Sequence, residues 1–177
     1  LFVQEGVTGL SMRRLADKIG YTPRTIYLYF TDKDDLLSEL IEEEVGHLAD
    51  QLESAFAKHR APRRRLEAVA LAYVAFGLAH PQAYEEIFMV RSPPMTRESA
   101  RLGKHVHGKR MLDVLDRAVR ESGRAVVGPD HQVLVQSLRC ALHGVTSLLV
   151  LGRSLPGTTW EAVVHHLVAS VVTTPHS

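Results

Sequence analysis

A single cysteine, Cys140, stands in 177 residues. That excludes an intramolecular disulfide framework and favours a reducing, cytoplasmic setting. Cys140 lies in an apolar stretch and reads as a small buried side chain. The net charge is only +1, so the sum says nothing about partners. No signal peptide is evident, and no apolar run reaches the length of a membrane span; the longest, Val145–Leu151, is interrupted by Thr146 and Ser147. Also lacking are a nucleophile–base pairing, a phosphate-cradling glycine loop and an H-E-x-x-H pattern, so catalysis has no support and no cofactor is implied. Ten histidines invite a metal reading. However, His105 and His107 are two apart, His165 and His166 are adjacent, and neither pair has the i, i+4 spacing with which one helix grips a metal. No metal site is expected.

Nothing reads as a strand, an internal repeat or a low-complexity tract, whereas helical periodicity recurs from end to end. The chain starts at Leu1-Phe2-Val3 already in helical pattern, as the tail of a helix closed by Gly6, so a preceding segment with any basic arm is expected. Ser11 caps a helix that ends at Gly20. Thr22 caps the next, with Pro23 at its first position, where the missing N–H costs nothing. Thr31 is the expected cap of a long helix, with Asp34 completing a capping box. Its apolar positions Leu36, Leu37, Leu40, Ile41, Val45, Leu48, Leu52 and Phe56 keep a three-to-four spacing. Further helices are predicted from Pro62 to His80-Pro81, around Tyr84–Phe88 up to Ser92-Pro93-Pro94, over Thr96–Glu121 closing at Gly123, over Asp130–Leu151, and over Thr159–Val172. The expected fold is all-α with about nine helices. A helix-turn-helix head over 1–46 is joined through the long helix to a helical effector-binding and dimerisation body over 47–177.

The most informative segment is Ser11–Phe30, SMRRLADKIGYTPRTIYLYF. Ala16 is small enough for two helices to cross closely, and Gly20 can take the positive φ of a tight turn. Ile26 is expected to plug the angle together with Leu15 and Ile19. A unit this small exposes one whole helix, and the commonest use of that exposure is insertion into the DNA major groove. Charge distribution is compatible: residues 1–33 carry five basic against three acidic side chains, while 34–57 carry eight acidic and no Lys or Arg. A solvated arm explains the acidic run as well as an electrostatic role does. Arg63, Arg64 and Arg65 read as a solvated basic tip.

Two C-terminal helices are over-apolar. Leu134, Leu138, Ala141, Val145 and Leu148 form one stripe, and Trp160, Val164, Leu167, Val168 and Val171 lie on another. Both are expected to pair with their copies in a homodimer, since a DNA-reading helix-turn-helix usually engages two half-sites.

The run Gly6–Leu37, GVTGLSMRRLADKIGYTPRTIYLYFTDKDDLL, resembles the DNA-binding domain of the tetracycline-repressor (TetR) family. The matching features are Gly-Val-x-x-Leu-Ser, Leu-Ala-x-x-Ile-Gly, Thr-Ile-Tyr-x-Tyr-Phe and Lys-Asp-Asp-Leu-Leu, in order and without gaps. His80-Pro81-x-x-Tyr84 with Phe88, and Ala141-Leu142-His143-Gly144, are similar to a regulatory body found in part of that family. Cys140 and Leu138 stand where a tryptophan is expected. The resemblance implies a homodimeric repressor that is released from double-stranded operator DNA by a small hydrophobic effector.

With that resemblance, Arg24 and Thr25 are the expected base-edge contacts, because Arg forks onto guanine and the Thr methyl meets a thymine methyl. Tyr27, Tyr29 and Lys33 are expected on phosphates. Thr22 and Ser11 are candidates for DNA contact, although their capping roles already account for them. A ligand pocket is expected to use Tyr73, Phe76, Tyr84, Phe88, Met89, Met111 and His143, although aromatic and Met residues at helical spacing more often form plain core. The alternative reading is a helical small-molecule or metal-binding protein whose helix-turn-helix is only structural.

Overall fold

The computed structural model describes residues 11–89, 106–122 and 129–173. Among the described residues there are eight helices and no strand. They are α1 (Met12–Ile19), α2 (Pro23–Ile26), α3 (Lys33–Ala57), α4 (Pro62–Ala79), α5 (Pro81–Phe88), α6 (Val106–Glu121), α7 (Pro129–Val150) and α8 (Trp160–Thr173). The helix expected before Gly6, the Ser92-Pro93-Pro94 break, residues 96–105 and the stop at Gly123 lie outside the described residues.

Local chemistry sets the N-terminal boundaries. Ser11 Oγ accepts the Arg14 N–H at 3.2 Å to open α1. Gly20 ends it at φ +74°, a left-handed position that any side chain would strain. Thr22 Oγ1 accepts the Thr25 N–H at 3.3 Å and opens α2, which has Pro23 at its first position. The cap of α3 is Asp32, one residue beyond the expected Thr31. Asp32 Oδ1 accepts the Asp35 N–H at 2.8 Å, and Asp35 Oδ2 accepts the N–H and hydroxyl of Thr31 at 2.9 and 3.2 Å. The shift follows from chemistry, because a carboxylate in the first turn accepts more strongly than a hydroxyl and complements the positive helix end.

Two separate cores form. Met12, Ala16, Ile26, Leu36 and Leu37 make the small one, with Leu15, Phe30, Leu40 and Ile41 at its edge. Ile19, expected to help plug it, is exposed. The large core runs from Leu48 on α3 to Val171 on α8. Both are built on α3, a continuous helix of 25 residues.

The acidic run on α3 is partly committed to holding α6. Arg110 donates to Asp50 at 2.7 Å and to Glu53 at 3.0 Å, and Glu42 accepts the His107 N–H at 2.6 Å. Gly46 makes room there: a Cβ would stand 3.2 Å from the His107 ring. Nor is the Arg63–Arg65 tip simply solvated. Arg65 donates to the His59 carbonyl, pairs with Glu121 on α6 and lies over the Phe56 ring, 4.7 Å from its centroid.

Helix α7 carries enough apolar length, over Asp130–Val150, to cross a membrane by length and composition alone, which run-by-run reading did not register. Its inner face, Val135, Leu138, Leu142, Val145 and Thr146, is buried in the large core, which accounts for the apolarity of that face alone, since 28% of the apolar window is buried. Cys140, expected to be buried, is exposed, because it lies on the opposite side of the helix.

Candidate nucleic-acid interface and ligand site

In the head, Ile26 turns into the small core and thereby points its neighbours outward. Arg24 is exposed and Thr25 half-buried, its hydroxyl 3.0 Å from that of Thr22. Tyr27 and Tyr29 are 54% and 77% exposed, so neither is used to pack the head. Lys33 is half-buried at the first position of α3, and Ser11 half-buried at the start of α1. Tyr21 and Leu28, which the sequence reading passed over, are also exposed here, Leu28 at 76%. Thr22, Arg24, Tyr27, Leu28 and Tyr29 thus form an uncovered polar and aromatic patch around α2. Helical α2 is only four residues long and continues as turns, in which Leu28 donates to Thr25 and Tyr29 to Ile26.

In the body, the expected pocket residues divide. Tyr73, Tyr84, Phe88 and His143 form one cluster: the Tyr84 ring lies 4.8 Å from Phe88, 5.8 Å from His143 and 6.1 Å from Tyr73, centroid to centroid. Phe76 is buried within the large core, its ring 5.0 Å from that of His80 and tilted against it. Met89 is exposed at the end of α5. Met111 is buried on α6 and, with Tyr73, lines a cavity of about 10 Å³. The remaining walls are Leu52, Val69, Leu112, Leu115 and Arg139. None of those five was assigned to a pocket from sequence, because the four aliphatic ones look the same as core, and Arg139 the same as surface, until the helices are placed.

The hydrogen bonds of the cluster fix its proton positions. Ser147 Oγ donates its one proton to the His143 carbonyl at 2.7 Å. It can therefore only accept from His143 Nε2, 3.3 Å away. His143 Nδ1 is then an acceptor, and the Tyr84 hydroxyl donates to it at 2.7 Å. Tyr84 in turn accepts the Tyr73 hydroxyl proton at 3.3 Å. Burial pushes both phenols above their ordinary range, reinforced at Tyr73 by its neighbour Tyr84. Burial, and then the charge of Arg139, holds His143 below the ordinary imidazole range, consistent with a neutral ring.

The expected interface stripes also divide. Leu138, Val145, Val164, Val168 and Val171 are buried in this subunit's own core and have no surface left for a partner. Leu134, Ala141, Trp160 and Leu167 are half-buried, and Leu148 is exposed. The outward face of α7 is Val133, Ser137, Cys140, Gly144 and Leu148, which shares only Leu148 with the expected stripe and recurs every three or four residues. The stripe was misplaced because α7 is apolar on two faces, and periodicity alone does not say which one faces inward.

Comparison with known proteins gives consistent matches along the chain. Residues 1–40 match the model of bacterial regulatory proteins of the tetR family, and residues 66–171 match the tetracyclin repressor-like C-terminal domain. No curated protein sequence matches the chain. Among solved structures, a protein of unknown function from Rhodococcus sp. RHA1 superposes with a TM-score of 0.78 at 26% identity, over 97% of this chain and 87% of that one. FadR from Bacillus subtilis, solved with stearoyl-CoA, has a TM-score of 0.70 at 18% identity, over 99% and 94%. A TetR/AcrR-family regulator from Thermobifida fusca has a TM-score of 0.64 at 19% identity, over 100% and 93%. With an outward helix-turn-helix at one end and matched domains at both, the chain is a transcription regulator rather than an enzyme, and it belongs to the TetR family.

Proposed function

We propose that this regulator is a cytoplasmic homodimeric repressor, released from its operator when a small hydrophobic molecule enters the body. The observation that carries the reading is the uncovered α2 patch, with Ile26 anchoring it from behind. Arg24 is assigned to a guanine edge and Thr25 to a thymine methyl. Tyr27, Tyr29 and Lys33 are assigned to phosphates, with Thr22 and Ser11 at the helix starts beside the backbone. The head is taken as residues 1–46 and the body as 47–177; the gap between the two cores, from Ile41 to Leu48, supports that division.

The second copy is assigned to the outward face of α7, with Leu148 and Ala141 retained from the original stripe and Trp160 and Leu167 of α8 beside them. Gly144 supports this assignment, since among the described residues nothing beyond its own stretch of helix lies within 4 Å of where its Cβ would be. Release by ligand is assigned to a shift of α3 that moves two heads away from half-sites one turn of DNA, ~34 Å, apart. The stearoyl-CoA held by the Bacillus subtilis relative supports an apolar ligand for a body of this fold.

The test is a mobility-shift titration on the DNA upstream of the protein's own reading frame. Arg24→Ala should relax sequence preference. Lys33→Ala should weaken binding evenly and shallow the salt dependence. Wild-type behaviour from both variants would refute the contact assignment, and an absence of salt-sensitive binding by wild type would favour a purely structural head.

A further inference from the structure

The cavity beside Tyr73 has an unusual composition. Leu52 of α3, Val69 of α4, and Met111, Leu112 and Leu115 of α6 give it apolar walls, and Arg139 of α7 is the one cationic residue of a lining that is almost wholly apolar. Arg139 is exposed, and among the described residues its guanidinium meets only a neutral partner, donating to Gln136 at 3.2 Å. By contrast Arg64, Arg65, Arg110 and Arg120 each engage a carboxylate. The Tyr73 hydroxyl proton is directed to Tyr84, so the phenol offers no donor to the cavity. Arg139 is therefore the lining residue with hydrogen-bond donors to offer a bound molecule, and Arg donates without ever accepting.

We propose that this cavity seats the hydrocarbon part of an amphipathic carboxylic acid, with the carboxylate held by Arg139. A planar carboxylate takes the guanidinium fork in a bidentate pair, which a hydroxyl or an ester does not reproduce. One cation suits one negative charge, and that favours a free acid over a thioester of a multiply charged carrier. At about 10 Å³ the space is only water-sized, so the tail enters by displacing side chains. Met111 is the one suited to give way, since Met is unbranched and repacks at low cost. The charge of Arg139 is also felt at Tyr73 and His143, consistent with a guanidinium that stands close to the cavity and its polar cluster.

The inference rests on the reading of the body as a ligand-binding domain. Its test is direct binding, measured without DNA by calorimetry, with decanoate, decanol, methyl decanoate and decanoyl-CoA as probes. Wild type should bind decanoate at least tenfold more tightly than decanol or the ester. Arg139→Gln should remove that preference while leaving decanol binding unchanged, and Arg139→Lys, which keeps the charge, should fall between. Because Arg139 is exposed, these variants should melt like wild type. Equal affinity for acid and alcohol would overturn the proposal, as would undiminished decanoate binding by R139Q, failure of decanoate to bind, or binding of decanoyl-CoA alone. Operator release is scored separately: carboxylate binding through Arg139 with no release would sustain this site and refute the switch. Release by a molecule indifferent to Arg139 would do the reverse.

Discussion

Gly77→Ala is the sharpest test of how the body is packed. An added Cβ at Gly77 would stand 2.2 Å from Thr146 Cγ2 and 3.0 Å from the Tyr84 ring. Thr146 cannot swing away cheaply, because it is fully buried and its hydroxyl donates to the Leu142 carbonyl at 2.8 Å. Helices α4 and α7 must therefore separate, and overpacking of this kind costs about 1–3 kcal/mol. The top of that range applies, offset by the roughly 1 kcal/mol by which Ala is the better helix former. A net loss of about 2 kcal/mol should lower Tm by about 4–8 °C for a chain of this size. Thr146→Ser removes the obstructing methyl and keeps the hydroxyl bond, so G77A/T146S should recover most of the loss. Denaturant melts of the four proteins give the coupling, expected near 2 kcal/mol. A G77A protein as stable as wild type, or additive effects in the pair, would refute this helix crossing.

Three further outcomes are expected. Thr22→Ala should destabilise the head by about 1 kcal/mol through loss of the α2 cap, and T22S should not; hydrogen exchange at the amides of residues 16–30 reads this directly. Burial tends to raise the Asp116 carboxyl, but hydrogen bonds from Arg120 and His131, each 2.8 Å, hold it below its ordinary value. A depressed folded pKa contributes stability that is present above the unfolded value and lost as pH falls through the folded one. The advantage of wild type over Asp116→Asn in melting should therefore be full near neutrality and shrink below about pH 4. Leu148→Glu should leave the helical content intact and convert a dimer into a monomer by sedimentation; an unchanged oligomer would remove the α7 face as the partner surface.

The head was legible because its determinants are local. Caps, a left-handed glycine and one proline fix α1 and α2 from within a span of a dozen residues, and Ala16 and Ile26 need no distant partner to be identified as core. The long periodic helix ending near Phe56 was legible for the same reason. What sequence could not supply was the side of a helix that faces in when more than one side is apolar. On α7 that misassigned Leu138 and Val145 to a partner and placed the exposed Cys140 in the core. It likewise hid Arg139, an ordinary surface arginine until Leu52, Val69 and Met111 are brought beside it by three other helices. The Gly77–Thr146 contact joins residues 69 positions apart and leaves no local trace.

The placement of Leu52 decides how an event in the body can reach the head. It is part of the cavity wall, and Leu36 and Leu37 at the other end of the same helix are part of the small core. The 16 residue-to-residue steps from Leu36 to Leu52 span roughly 24 Å of uninterrupted helix. A side chain or ligand that widens the cavity must push against Leu52, Val69 or the α6 residues, and α6 is itself tied to α3 by Arg110 through Asp50 and Glu53. Under the proposed release, a displacement at this turn of α3 would be carried along the helix to Leu36 and Leu37, which pack with Met12, Ala16 and Ile26 beneath the α2 patch.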